Sequence, residues 1–176
     1  MKPSRLQHLI LQLDESGHNV SIDVCNESDF EVNEEELAGQ AAFLLKRLHI
    51  NPAAELSIML VDEVAMANLH EKFMDEPGST DVLSFPMDEL RAGTPEQLSA
   101  EGVLGDVVLC PAVAERQGET AGHAMEVELR LLLTHGVLHL LGHDHAEPEE
   151  HRVMFGLQAQ LLAEWEGERN RRGASE

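Results

Sequence analysis

The stretch Thr134 to His145, T-H-G-V-L-H-L-L-G-H-D-H, constrains this chain more than any other, because a helix, its end and a set of ligands must all fit within it. Four of the ten histidines fall inside it. On a helix His135 and His139 leave the same face about one turn apart and can reach one metal ion. Gly142 stands where that helix can end in a left-handed turn, and His145 follows on chain that can fold back to the same ion. The spacing is that of the zincin motif H-E-x-x-H-x-x-G-x-x-H, except that Gly136 replaces the glutamate. His143 is the competing third ligand, since 135, 139 and 143 share a helix face. An unbroken helix would spread those three over about 12 Å, too far for all of them to bind at ~2.1 Å from one ion. The spacing therefore favours His145. A lone histidine on an apolar helix is more often a packed core residue than a ligand; three with a turning glycine, amid Val137, Leu138, Leu140 and Leu141, point to a zincin-like metal site on a core helix.

Imidazole donors favour zinc over magnesium or calcium, which prefer oxygen, and one ion per chain is expected. Three protein ligands leave a position open, as catalytic rather than structural sites do. Such an ion supplies Lewis acidity at an ester or phosphoryl oxygen. Gly136 cannot take a proton as the peptidase glutamate does. The candidate carboxylates are Asp144, which can act as a base or hold a histidine ring, and Asp81, at a strand start where aspartate commonly caps a turn. RNA offers a way round a missing base, because its 2′-hydroxyl can be the nucleophile while the metal stabilises phosphoryl charge.

Around this stretch the chain reads as α/β, an α+β layer with a single small mixed sheet of about four strands and about five helices. Val20, Ile22 and Val24 alternate with polar residues as a first strand. Asn33 before Glu34, Glu35 and Glu36 looks like the cap and acidic first turn of a helix reaching about His49. Leu56 to Val61 is a second strand, and Val64 to Phe73 a helix opened by Asp62. Pro77-Gly78 marks a turn, Val82 to Phe85 a short strand closed by Pro86, and 88–101 a surface loop. Val103 to Cys110 is a fourth strand, whose Gly105-Asp106 pair signals a bulge or close backbone approach. Helical chain follows Pro111, a longer helix from about Met125 to Leu141 carries the first two histidines, and a last one runs from Pro148 to about Trp165. Residues 20–165 form a single domain, 1–19 a leader and 166–176 a polar, frayed tail.

The 33 acidic side chains outnumber 12 basic ones, for a net charge of −21. That field repels nucleic acid on average and supplies no support for DNA as a partner. Cys25 and Cys110 are isolated, so neither a disulfide framework nor a cysteine zinc site is expected, and a reducing cytoplasm fits. No apolar run approaches the roughly 18 residues of a membrane span, and no cleavage site follows the apolar patch from Leu6 to Leu13, so a signal peptide is not expected.

The histidine stretch resembles the signature of the YbeY family of bacterial endoribonucleases, which act as rRNA maturation factors. S-T-D-V-L-S-F-P at 79–86, L-G-D-V-V-L at 104–109, the Asn26-Glu27-Ser28 triplet, Met154 and Gln158 are similar to that family as well, over about residues 20–165. The resemblance implies a zinc-dependent, single-strand-specific endoribonuclease of the cytoplasm with His135, His139 and His145 as zinc ligands. It implies a role at the 3′ end of the small-subunit rRNA and in ribosome quality control. One position departs: where many members carry an arginine thought to help with RNA, this chain has Met74. Lys72 is the nearest cation in sequence, and Arg91 and Arg116 are candidates to replace it. Given the acidity, the expectation is single-stranded ribosomal RNA presented by the small ribosomal subunit or a protein partner. A zinc hydrolase acting on peptides or esters, and a non-enzymatic ribosome assembly factor with a structural zinc, are the competing readings.

Overall fold

The structure, a computed structural model, describes residues 9–10 and 21–174. The expected leader residues 1–8 and 11–19, Val20 of the first expected strand and the last two residues of the tail lie outside the described residues. In chain order the elements are β1 (Leu9–Ile10), β2 (Ser21–Asn26), α1 (Glu34–Arg47), β3 (Glu55–Leu60), α2 (Glu63–Met74), β4 (Val82–Pro86), β5 (Val103–Leu109), α3 (Pro111–Ala121), α4 (Met125–Leu140) and α5 (Pro148–Ala174). The four expected strands are β2 to β5, and the two-residue β1 adds a fifth at the edge.

The helix starts follow from local chemistry. The Asn33 side chain accepts the Glu36 N–H at 3.0 Å to cap α1, and Asp62 accepts the Ala65 N–H at 2.8 Å to cap α2. Each satisfies a donor that the first turn leaves orphaned. The sheet order is β1-β2-β3-β5-β4. The inner pairs β2–β3 and β3–β5 are parallel, and the outer pairs are antiparallel. The register shifts opposite Glu55 and Leu56, where Gly105 follows the skipped Leu104, so the expected irregularity at Gly105 is a bulge. Pro86 ends β4 at the sheet edge, where its missing N–H costs no ladder bond.

Helix α4 lies at the centre of the molecule, against β4, β5, α1, α3 and α5. Leu129, Leu132, Leu133, Thr134, Val137, Leu138 and Leu140 are buried along it, as expected for a helix walled on most sides. At Gly136 a Cβ would stand 2.7 Å from Val107 Cγ1 and 3.2 Å from Val82 Cγ2. Only hydrogen at that position lets the helix lie this close to the sheet, and Ser84 Oγ reaches across to donate to the Gly136 carbonyl at 2.8 Å.

One expectation is corrected. The chain after Trp165 does not fray: α5 continues through the polar tail to Ala174. The acids and arginines there recur at helical spacing, so Glu168 pairs with Arg171 and Arg172 at i+3 and i+4. Arg169 bonds Glu166 at 3.0 Å on its own helix and reaches Glu36 of α1. Among the described residues no helix is long and apolar enough to cross a membrane.

Two of the contacts that hold α5 differ in strength. Trp165 is 2% exposed and packs on Phe43 at 5.3 Å, whereas Arg169 is a partly exposed ion pair. Trp165→Ala should cost about 3–5 kcal/mol in urea denaturation, and Arg169→Ala no more than about 1 kcal/mol. The reverse order would show that the ion pairs, not the core, dock α5.

Candidate metal centre

Helix α4 delivers His135 and His139 from one face, and its ending delivers His145. Gly142 has φ +91°, a left-handed conformation that glycine adopts without a Cβ penalty. The Gly142 N–H bonds the His139 carbonyl at 3.0 Å and the His143 N–H bonds the Leu138 carbonyl at 3.1 Å. This is the Schellman pattern, and it turns the chain back so that His145 faces the helix it has just left. The ring centroids of His135 and His139 are 4.6 Å apart, and His145 lies 5.6 and 5.4 Å from them. One nitrogen from each ring lies within 4.8 Å of the other two. His143 is not in this group.

The donor set fits a zinc-like ion. His135 Nδ1 lies 2.8 Å from Gln158 Oε1; that oxygen can only accept, so Nδ1 carries the proton and Nε2 keeps its lone pair. His135 Nε2 lies 3.0 Å from His139 Nε2, so the lone pair of His135 points at the nitrogen of its neighbour. Gln158 is buried on α5, and an amide held in this way fixes the tautomer and orientation of a metal-binding imidazole. Burial, then the charges of His135 and His145, push the His139 pKa below its usual range. Burial, then the Arg91 guanidinium, does the same for His143. Both shifts favour neutral rings, the form that binds metal.

The carboxylate candidates have other employment. Asp144 Oδ1 accepts the His145 backbone N–H at 2.7 Å, bracing the turn that carries the third imidazole. Its charge is felt at His139. Asp81 accepts the Val82 N–H at 2.8 Å and Gln117 Nε2 at 3.2 Å, so it closes the start of β4 and ties it to α3. Gly136 points into the sheet interface, where a glutamate would meet Val107, Val82 and Ser84. Packing, then, accounts for the missing peptidase base. The Asn26-Glu27-Ser28 triplet closes β2: Asn26 Oδ1 accepts the Ser28 N–H at 2.9 Å, and its Nδ2 donates to the Phe30 carbonyl at 2.8 Å.

The cations separate as well. Arg116 is spent on both carboxylate oxygens of Glu63, and Lys72 lies over the Phe73 ring at 5.2 Å. Met74 ends α2 and is 45% exposed. Arg91 instead places its guanidinium against Gly142, where a Cβ would stand 2.6 Å from Cζ. It donates to the Glu89 and Leu90 carbonyls at 3.2 and 3.1 Å. Among the described residues it is the arginine with no carboxylate partner. The sequence placed Gln158 by similarity only; its inward i+4 pairing with Met154 was the one signal that it faces the cluster.

The family model described as Endoribonuclease YbeY matches residues 23–166. A protein named Endoribonuclease YbeY from Thermobifida fusca (strain YX) is 62% identical over 146 residues, covering 83% of this chain and 94% of its own. One of the same name from Beutenbergia cavernae is 62% identical over 143 residues, covering 81% and 95%. The solution structure of TM1509 from Thermotoga maritima, 24% identical, matches with a TM-score of 0.58 over 87% of this chain and 95% of that one. That likeness concerns the fold alone.

Two outcomes follow from the geometry. Gln158→Leu should lower zinc affinity about 10- to 100-fold in a chelator competition; unchanged affinity would mean that the amide does not orient His135. Zinc affinity should also fall as pH drops below the ordinary imidazole pKa of about 6.5. Because the His139 pKa is depressed, this ring stays neutral to lower pH than an exposed one. Its contribution to the stability of the metal-free chain is present above about 6.5 and is lost as pH falls through the folded value. Zinc titrations giving a flat affinity from neutral to strongly acidic pH would exclude the histidines as ligands.

Proposed function

The chain belongs to the YbeY family of endoribonucleases, and we propose that it is a zinc-dependent, single-strand-specific endoribonuclease of the cytoplasm. We infer that it matures the 3′ end of the small-subunit rRNA and serves in ribosome quality control. The observation that carries this reading is the convergence of three imidazoles from α4 and the turn after it, one of them oriented by a buried amide.

His135, His139 and His145 would hold the ion, one nitrogen each. When bound, zinc supplies Lewis acidity that offsets charge on a phosphoryl oxygen of the substrate. Gln158 keeps the His135 lone pair aimed into the cluster. Arg91, beside Gly142 and uncommitted to a carboxylate, binds a phosphate of the strand through charge-assisted hydrogen bonds. The RNA 2′-hydroxyl attacks the adjacent phosphorus, its proton passes to Asp144, and the bond from phosphorus to the 5′ oxygen of the next nucleotide breaks, leaving a 2′,3′-cyclic phosphate and a 5′-hydroxyl that takes its proton from water. Asp144 is favoured over Asp81 because it lies in the turn between His143 and His145, whereas both oxygens of Asp81 are engaged at β4 and α3. With a charge of −21 and few uncommitted cations, the enzyme works on rRNA presented by the small subunit or a protein partner.

Zinc-loaded protein offered single-stranded RNA, the same strand as DNA, and casein should cut only the RNA, and faster when the RNA is in small subunits. His139→Ala should stay folded and lose both zinc and cleavage. Arg91→Ala should keep zinc and lose about tenfold in kcat/KM. Casein cleavage would favour the peptidase reading. A folded, zinc-free His139→Ala protein that still supports rRNA processing would favour the assembly factor.

A further inference from the structure

Two rings beside the cluster have no part in holding the ion. His151 and Phe155 are one turn apart on α5, and their rings stack at 4.2 Å and 17°. The Phe155 centroid lies 5.8 Å from His135 and 6.0 Å from His145, and His151 meets His145 nearly edge-on at 6.4 Å and 87°. The stack therefore adjoins the imidazoles that converge on the metal position. The chain has only five phenylalanines, one tryptophan and no tyrosine, yet Phe155 is 37% exposed and His151 is exposed as well. Two other partly exposed histidines are tied down, His70 to the Gly78 carbonyl and Glu76, and His123 to Glu128. Among the described residues the His151 ring has no hydrogen-bond or ion-pair partner. Phe155 covers one face of the His151 ring, and the residue is nonetheless exposed.

We propose that His151, backed by Phe155, is a shelf on which one unpaired base of the RNA stacks beside the phosphate that is cut. The proposal rests on the endoribonuclease reading above. Phenyl and imidazole rings are common platforms for splayed bases, and one such stack changes affinity by roughly tenfold or more. Stacking needs no net charge, which suits a chain whose field repels phosphates. It also provides a cause for single-strand preference: a base inside a duplex is covered on both faces by its neighbours and cannot reach the shelf. A helix-stabilising i,i+4 ring pair, or a wall that merely shields the three histidines, would give the same arrangement but different kinetics.

The test is steady-state cleavage of a short single-stranded oligoadenylate by the zinc-loaded full chain. His151→Ala and Phe155→Ala should each raise KM about tenfold with kcat within about twofold and zinc content unchanged, while H151F should match the wild type in both constants. A wild-type KM in H151A, loss of zinc in F155A, or a fallen kcat in H151F would overturn the proposal; the last would mean that the imidazole acts through its proton rather than its face. Fluorescence of an H151W variant separates this from the parent reading. Quenching by oligoadenylate but not by duplex RNA, in a protein that cuts neither, would keep the shelf and remove the endoribonuclease. Absence of quenching would remove the shelf.

Discussion

A methyl group at Gly136 would stand 2.7 Å from Val107 Cγ1, and this missing atom sets how deeply α4 rests on the β4–β5 edge of the sheet. Glycine inside a helix costs about 1 kcal/mol relative to alanine. The close approach offsets that cost by burying the helix on this side and by letting Ser84 bond a main-chain carbonyl. With the sheet below and α1, α3 and α5 around it, α4 leaves only a narrow strip unwalled. His135 and His139 occupy that strip, half-buried while their neighbours at 136, 137, 138 and 140 are buried. The depth of the helix thus determines both the desolvation that favours a neutral His139 and the side from which the third imidazole must come.

The placing of that third imidazole depends on the helix stopping where it does. The Schellman turn at Gly142 satisfies the last carbonyls and reverses the chain within three residues of His145. Arg91 packs over the glycine from the 88–101 loop, and that loop is pinned through Gly93 and Ser99 to the carbonyls of Leu48 and His49 at the end of α1. Gln158 approaches from α5 on the other side. The cluster therefore draws on α4, the turn after it, a loop anchored to α1, and α5. Rigid, separately anchored supports of this kind are what a preorganised site requires.

What was legible in the sequence was local. The Asn33 and Asp62 caps, the Gly142 turn and the choice of His145 over His143 all follow from spacings of a few residues, and the structure has each of these caps and the turn. Contacts across long stretches of sequence were not legible. Gly136 read as a missing base because a motif compares one letter with another; the valines that exclude a side chain there come from β4 and β5. Asp81 looked like a candidate carboxylate until Gln117, on a different element, accounted for its second oxygen. His151 and Phe155 carry no motif at all and gain meaning only once α5 lies against the turn. The continuation of α5 past Trp165 was written in the Glu168, Arg171 and Arg172 spacing, but a polar stretch without an apolar stripe gives no reason to read it as a helix until Arg169 is seen reaching Glu36.

The excess of acid over base bears on how such a site can hold RNA. Phosphate contacts gain most of their free energy from released counterions, one cation at a time. Among the described residues every arginine but Arg91 lies beside a carboxylate, so little of that term is available. A strand held by one arginine, an ion and a stacked base would gain its affinity from contacts at the cut rather than along the backbone. Such binding would be weak on a free strand, where ordering the chain offsets it, and stronger on a strand already held in place. The same balance discriminates between substrates: long-range attraction favours any nucleic acid alike, whereas a shelf and a three-histidine centre favour an exposed base next to a reachable phosphate. On the proposed reading, the acidic surface and the small number of uncommitted contacts would serve one end, an enzyme that is slow to engage free RNA and acts where its substrate is held for it.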